Sequence, residues 1–361
     1  MELDLLELAG DPYRLGYAHG ERYRNAIVRY AEERIRLAGS EEWTGSDLSR
    51  QEVLALAQEC LPAHEEFTPD GVEELQGMAD ATGLTKAELL IVGGFTDFVD
   101  TVYARRTELG ATRATADDCT AVLVPGSRAE GGGALFGQTW DMHASSAEHV
   151  LLLRGRPHGL PEFLTFTSVG CVGMIGMNEA GLVVGINNLM AGDGATGVMW
   201  TFVVRELLKL ETVAQAVRLL EGAPLAGGHN YLLLDRSGAG ANVEAMGGRR
   251  HVTKLEGEPL VHTNHCLRPE TQEVERERTP VSLAESGGRL ERSLELLGRG
   301  TVTPGTLQRL AADEPTICVS PRHSDDIATC GAAIMRPATG EFWAVKGAPS
   351  RGSFRRYTVP A

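Results

Sequence analysis

Cys119 stands where a small, polar stretch, Ala111-Thr112-Arg113-Ala114-Thr115-Ala116-Asp117-Asp118, gives way to the apolar run that ends at Val124. A second apolar run, residues 134–141, follows the Gly-rich segment Gly126–Gly133 and closes on Trp140-Asp141. Two such runs around a short turn predict an antiparallel hairpin. Pairing about the centre of that turn sets Cys119 opposite Trp140 or Asp141. A carboxylate beside a cysteine does not activate it, because negative charge raises a thiol pKa. It can instead orient an amine. Cleavage of the Asp118–Cys119 bond would supply one, the α-amino group of Cys119. With an ordinary pKa of about 7.7–8.0, that amine can take the thiol proton as general base. The polar stretch 111–118 has no apolar face to bury and offers an accessible place for the cut.

The other five cysteines are Cys60, Cys171, Cys266, Cys318 and Cys330, and no two form a CxxC pair. Disulfides are not expected in a chain read as cytoplasmic, and each is read as a small buried hydrophobe. Two other uses of these residues compete. A metal site could draw on His265, Cys266, Cys318, His323 and Cys330, although their spacing is irregular for zinc. A thiol protease could pair Cys119 or Cys266 with a histidine.

The elements that must position these groups fall into two textures. Residues 1–110 read as mainly helical: Tyr13–Leu37, Gly71–Ala81, and Lys86 to Tyr103. Ser46 and Asp70 are the expected N-caps, and Thr85 with Glu88 fits a capping box. From Cys119 onward short apolar runs alternate with Gly-rich turns. Strands are expected over Phe163–Ser168, Gly173–Met177 and Leu182–Asn187. The last two form a hairpin about Asn178-Glu179-Ala180-Gly181. Thr201–Leu220 is helical with a break near Glu211-Thr212. Further strands are expected over Tyr231–Asp235, Ala241–Ala245, Leu260–Thr263, Ala328–Arg336 and Glu341–Lys346.

The charge balance, 34 Lys and Arg against 49 Asp and Glu for a net −15, gives no basic footprint for a phosphate backbone or an anionic membrane surface. No run of about 18 apolar residues occurs, and the start MELDLLELAGDPYR has no basic or apolar region of a signal peptide. A cytoplasmic protein without nucleic-acid or membrane partners is the expectation, and no cofactor or metal is called for. The glycines between 170 and 194 lack GxGxxG or P-loop spacing and read as turns.

Several blocks, taken in order, make the chain resemble the isopenicillin-N acyltransferase family of N-terminal-nucleophile enzymes, and more distantly the choloylglycine hydrolases and acid ceramidases. They are Gly16-Tyr17-Ala18-His19-Gly20, Asp117-Asp118-Cys119-Thr120, Gly137-Gln138-Thr139-Trp140-Asp141, and Gly176-Met177-Asn178-Glu179-Ala180-Gly181-Leu182 with Asn187-Asn188. His262-Thr263-Asn264-His265, Ile317 to His323, and Trp343-Ala344-Val345-Lys346-Gly347-Ala348-Pro349 complete the set. The resemblance implies an α+β, four-layer αββα fold built from two segments, 1–118 and 119–361, that self-cleavage would turn into associated α and β chains of one domain.

It also implies roles. Cys119 would be the nucleophile in self-cleavage and turnover, Asp141 would position the α-amine or substrate, and Asn264 would donate its amide to the oxyanion. Arg322 is a candidate partner for a substrate carboxylate or oxyanion. The substrate class would be a small amide or acyl conjugate, with acyl-coenzyme A as an open alternative donor. One position departs from the pattern: Asp118 stands where the family usually has glycine. Asp enters left-handed conformations more readily than most residues, which keeps cleavage available. The same departure feeds a competing reading, a binding protein on an unprocessed scaffold.

Overall fold

The computed structural model describes residues 2–105, 119–321 and 326–360. The first half runs β1 (Asp4–Gly10), α1 (Pro12–Ala38), α2 (Glu41–Thr44), α3 (Arg50–Phe67), α4 (Pro69–Thr82), α5 (Lys86–Gly93), α6 (Phe95–Arg105), β2 (Ala121–Val124), β3 (Leu135–His143), β4 (Val150–Pro157), β5 (Phe163–Ser168), β6 (Ile175–Asn178) and β7 (Val183–Leu189). The second half runs α7 (Trp200–Leu207), α8 (Val213–Gly222), β8 (Gly228–Leu234), β9 (Gly240–Ala245), β10 (Arg250–Lys254), β11 (Leu260–His262), α9 (Pro269–Gln272), α10 (Pro280–Leu297), α11 (Pro304–Ala311), β12 (Ile327–Arg336), β13 (Glu341–Lys346) and β14 (Arg355–Thr358).

The strands form two sheets. One has eight strands in the order β1-β4-β5-β6-β7-β8-β9-β10, the other six in the order β11-β2-β3-β12-β13-β14. All pairings are antiparallel except β1 with β4. Strand β3 carries the contact between the sheets. Its side chains alternate faces, so Phe136, Gln138 and Trp140 turn toward the larger sheet. A Cβ added to Gly185 of β7 would lie 2.2 Å from the Phe136 ring, so only glycine fits beneath it. Ile186 N–H donates to Gln138 Oε1 at 3.0 Å, and Gln138 Nε2 donates back to the Ile186 carbonyl. The opposite face of β2 and β3, with Val122, Val124 and Leu135, packs against Leu297 of α10 and Leu307 and Leu310 of α11. On the far side of the larger sheet, Ile27 of α1 and Val92 of α5 abut Gly170, and Arg205 of α7 stacks on Phe163 at 3.9 Å. The result is helix, sheet, sheet, helix: the αββα sandwich.

Local signals explain most boundaries. Thr85 and Glu88 form the expected capping box, and Thr212 with Gln215 forms another that opens α8 after the break. Two caps differ from expectation. Ser49, not Ser46, caps α3, through a reciprocal box with Glu52. Thr68 holds the cap position of α4 with Pro69 first in the helix, which leaves Asp70 in the first turn, where its charge suits the helix dipole. The helix expected from Lys86 to Tyr103 is two helices, divided at Gly94. Four strands, β1, β4, β10 and β14, have no clear period-2 signal. Three of them are sheet edges, where charged residues such as Arg250, Lys254, Arg355 and Arg356 blunt further pairing. The helix-rich N-terminal segment therefore also contributes a strand, β1, to the larger sheet. Among the described residues no helix is long and apolar enough to cross a membrane.

Candidate active site

Cys119 immediately precedes β2, and two ladders fix its neighbours. Strand β2 pairs with β3 from Val124–Leu135 to Ala121–Gln138. Continued two residues, the register places Cys119 opposite Trp140, as pairing about the turn requires. On its other side β2 pairs with β11 from Leu123–Leu260 to Ala121–His262. Cys119 and Asn264, separated by 144 intervening residues, each lie two residues beyond the same end of this ladder.

The thiol is buried, with 1% of the residue exposed. The main-chain N–H of Asp141 donates to Cys119 Sγ at 3.4 Å, and Sγ lies 3.8 Å from the Asp141 carbonyl oxygen. Asp141 therefore touches the thiol through its backbone. Its fully buried carboxylate belongs, by alternation along β3, to the face shared by Leu135 and Gly137. Cys119 follows Ala121 and Leu123 to the inter-sheet face, where it lines a narrow cavity with Trp140, Ile186 and Arg34. Thr120 is pinned by its N–H to Thr139 Oγ1 at 3.1 Å and its carbonyl to Thr139 N–H at 2.9 Å.

Asn264 is oriented by three partners. Its N–H donates to Ser286 Oγ at 3.0 Å, its Nδ2 to the Asn188 carbonyl at 3.1 Å, and its Oδ1 accepts from Arg289 Nη1 at 3.2 Å. A carboxamide nitrogen carries two hydrogens, so one remains for a developing oxyanion. Arg289 Nη1 also donates to the Cys119 carbonyl at 2.9 Å. This buried guanidinium ties the Cys119 peptide to the Asn264 side chain. Ser286 and Arg289 sit three apart on α10, on one helix face. Sequence reasoning singled out neither, because α10 is amphipathic and polar and its contacts are wholly tertiary. A second brace comes from β9: Glu244 accepts from the Leu267 N–H at 2.7 Å and lies 3.0 Å from His262 Nε2, which holds both ends of the His262–Leu267 segment.

The remaining cysteines differ in surroundings. Burial pushes the thiols of Cys60 and Cys171 up to about 11, and pushes that of Cys266 up further, helped by the charges of Glu275 and Glu244. None of these resembles an activated nucleophile. His265 is lowered to about 4 by burial, with His262 adding to it, and bonds Ser286 Oγ through Nδ1 at 2.7 Å. Cys330 sits in a β-bulge of β12, against the carbonyls of Met142 and His143. Among the described residues no group of three or more His, Cys, Asp or Glu is arranged to hold a metal ion. Asp118, Arg322 and His323 lie outside the described residues.

Two facing sheets between helical layers, with a cysteine at the head of an inner strand, define the fold of the N-terminal-nucleophile hydrolases. The family model described as acyl-coenzyme A:6-aminopenicillanic acid acyl-transferase matches residues 128–350, and the chain belongs to that family. Its curated relatives include the acyl-coenzyme A:6-aminopenicillanic-acid-acyltransferase 40 kDa form of Emericella nidulans, 25% identical over 262 residues, spanning 72% of this chain and 68% of that one. Similar solved structures include a mutant conjugated bile acid hydrolase from Clostridium perfringens, with TM-score 0.44 and 12% identity, covering 66% of this chain and 96% of that chain. Another is a penicillin V acylase from Agrobacterium tumefaciens, with TM-score 0.36 and 14% identity over 63% and 83% of the two chains.

Proposed function

We propose that the chain is a self-processing cysteine amidohydrolase or acyltransferase that works through an acyl-enzyme on Cys119. The observation that carries the reading is Arg289, bonded to both the Cys119 carbonyl and Asn264 beside a thiol that accepts from the Asp141 main-chain N–H. Self-cleavage between Asp118 and Cys119 frees the α-amine of Cys119. The Asp141 carboxylate, on the outer face of β3, holds that amine. The amine takes the thiol proton and the thiolate attacks a substrate carbonyl. Asn264 Nδ2 then donates to the oxyanion, and the amine returns its proton to the departing group. Water or a second amine resolves the acyl-enzyme.

Membership of an acyltransferase family supports acyl transfer between small molecules. Coenzyme A thioesters and the amine of 6-aminopenicillanate are the first substrates to test, because the relative's name specifies them. Water is always available to an acyl-enzyme, so hydrolysis of a small amide accompanies transfer. The two pieces, 1–118 and 119–361, stay together because β1 is hydrogen-bonded into the same sheet as β4. Intact-mass measurement of the purified protein tests the reading directly. Two associated fragments, the larger beginning Cys-Thr-Ala-Val, are expected. A chain that stays whole after prolonged incubation near neutral pH would remove the self-processing mechanism.

A further inference from the structure

Arg34 of α1 is a buried cation that the mechanism above does not use. Only 2% of it is exposed, and it lines the same cavity as Cys119. Its partners are all neutral. Nη1 lies 3.4 Å from Met142 Sδ and 3.3 Å from His143 Nδ1, while Nη2 donates to Ser146 Oγ at 2.9 Å and to Tyr30 Oη. Its Nε–H, the last of five donors, is buried with no hydrogen-bond partner. Two other buried arginines have an acid, Arg205 with Glu74 at 2.9 Å and Arg276 with Asp100 at 2.6 Å. Arg34 has none among the described residues. The rings of Tyr30 and Phe95, 4.7 and 4.9 Å from its guanidinium carbon, offer quadrupole attraction but no neutralising charge. A full charge held out of water beside neutral groups is costly unless an anion joins it.

The missing anion has a direction to come from. The cavity is narrow, about 30 Å³, and runs from Cys119 past Trp140, Met142 and Phe95 to Arg34. Cys119 Sγ carries the acyl half of any substrate, so the acyl chain is the part that extends into it. Among the described residues no Asp or Glu lines this cavity. We infer that the acyl pocket is built for acyl groups ending in a carboxylate or equivalent anion, with Arg34 as the specificity-determining residue. An ammonium beside that carboxylate finds no acidic partner, so plain dicarboxylic acyl groups are preferred over aminodicarboxylic ones. The inference rests on Cys119 being the acyl acceptor.

Two measurements separate the inference from that reading. The first needs no turnover: calorimetric titration of the full-length Cys119→Ala chain with glutarate and with its neutral analogue glutaramide. Glutarate is expected to bind at least about tenfold tighter, the margin a charged contact in a pocket supplies. Adding Arg34→Gln should abolish the difference and adding Arg34→Lys should keep part of it. Equal binding of the two probes overturns the inference even if the enzyme turns over amides. Should the Arg34→Gln chain fail to fold, as judged by its melting curve, the glutarate–glutaramide difference in the Arg34-containing chain decides.

The second measurement compares kcat/KM of the Cys119 enzyme on N-glutaryl, N-pentanoyl and N-γ-glutamyl anilides. The expected order places N-glutaryl first, with the loss for the other two seen mainly in KM. An enzyme that prefers the pentanoyl or γ-glutamyl compound overturns the inference. If glutarate binds selectively and no anilide or thioester is turned over, the anion pocket stands and the acyl-enzyme reading falls.

Discussion

Arg289 Nη1 lies 2.9 Å from the main-chain oxygen of Cys119, so this cysteine is held by a buried guanidinium through its own peptide. The same nitrogen bonds Asn264 Oδ1 at 3.2 Å. Lysine at this position keeps the charge but is a point donor on a flexible stem, and cannot reproduce a planar fork. Arg289→Lys should lower kcat about tenfold or more on any amide or thioester substrate, with the melting temperature close to that of the parent. Unchanged kcat in a folded Arg289→Lys enzyme would show that the bridge is only structural.

Asn264→Ala removes one preorganised oxyanion donor while leaving the segment held by Ser286 and Glu244. Loss of one such donor costs about a hundredfold in turnover in comparable sites. Steady-state kinetics on an identified substrate check this. Near-parental kcat would take Asn264 out of the site.

Brief labelling with iodoacetamide should modify Cys119 first in the processed protein, because its α-amine draws off the thiol proton. Cys60, Cys171 and Cys266 should lag, as burial pushes their thiols upward. Cys119→Ala should neither self-cleave nor turn over substrate. Peptide mapping that finds Cys266 labelled first, with activity lost while Cys119 stays free, would favour the thiol-protease alternative.

Stability should fall on acidification before most carboxylates titrate. Burial lowers His19, His64 and His149 to about 4 and, with the Arg34 charge, His143 to about 3. The unfolded histidines titrate near 6.5. Between these values the unfolded chain binds more protons, so stability present above pH of about 6.5 is lost as pH falls toward 4, by up to about 1.4 kcal/mol per pH unit for each histidine. Asp100, raised to about 6 by burial, pulls the other way over part of the range, but it is one group against five once His265, also lowered to about 4, is included. Melting curves from neutral pH downward should therefore show a declining midpoint, and His64→Asn should flatten the decline. A midpoint independent of pH across this window would contradict the buried, neutral state of these rings.

Helices α1 and α4 meet backbone to backbone. A Cβ at Gly16 would lie 1.7 Å from the Glu74 carbonyl oxygen, and one at Gly77 would lie 2.0 Å from that of Tyr13. Gly16→Ala should cost about 1–3 kcal/mol, the range of overpacked sites, and lower the melting temperature. A substitution at Gly83, whose added Cβ meets nothing within 4 Å, tests only its φ of +80° and serves as the contrast.

The sequence by itself determined the strand texture after Cys119, the hairpin that sets Cys119 against Trp140-Asp141, the capping box at Thr85, the break near Thr212, and the ordered blocks of the family. These are local or near-local: turn length, period-2 alternation and cap chemistry act within a few residues. It also marked Gly16 to Gly20 as a block without saying why it matters, and Asn264 with a role but without neighbours to perform it. Tertiary structure decided that. Gly16 matters because the main chain of α4 passes against it, and Asn264 is tied to Cys119 because Arg289 bonds both. Ser286, Arg289 and Arg34 carried no local signal at all. Each lies on a helix whose pattern is satisfied by burial of one face, and a helix pattern reports which face is buried, not what it meets. The edge strands β10 and β14 were hidden for a related reason: both faces of each stay at least partly exposed, so no apolar–polar alternation announces them. Which chains lie adjacent across long separations is set by the packing of two sheets and two helical layers, and only that packing places a guanidinium on the carbonyl of a cysteine 170 residues away.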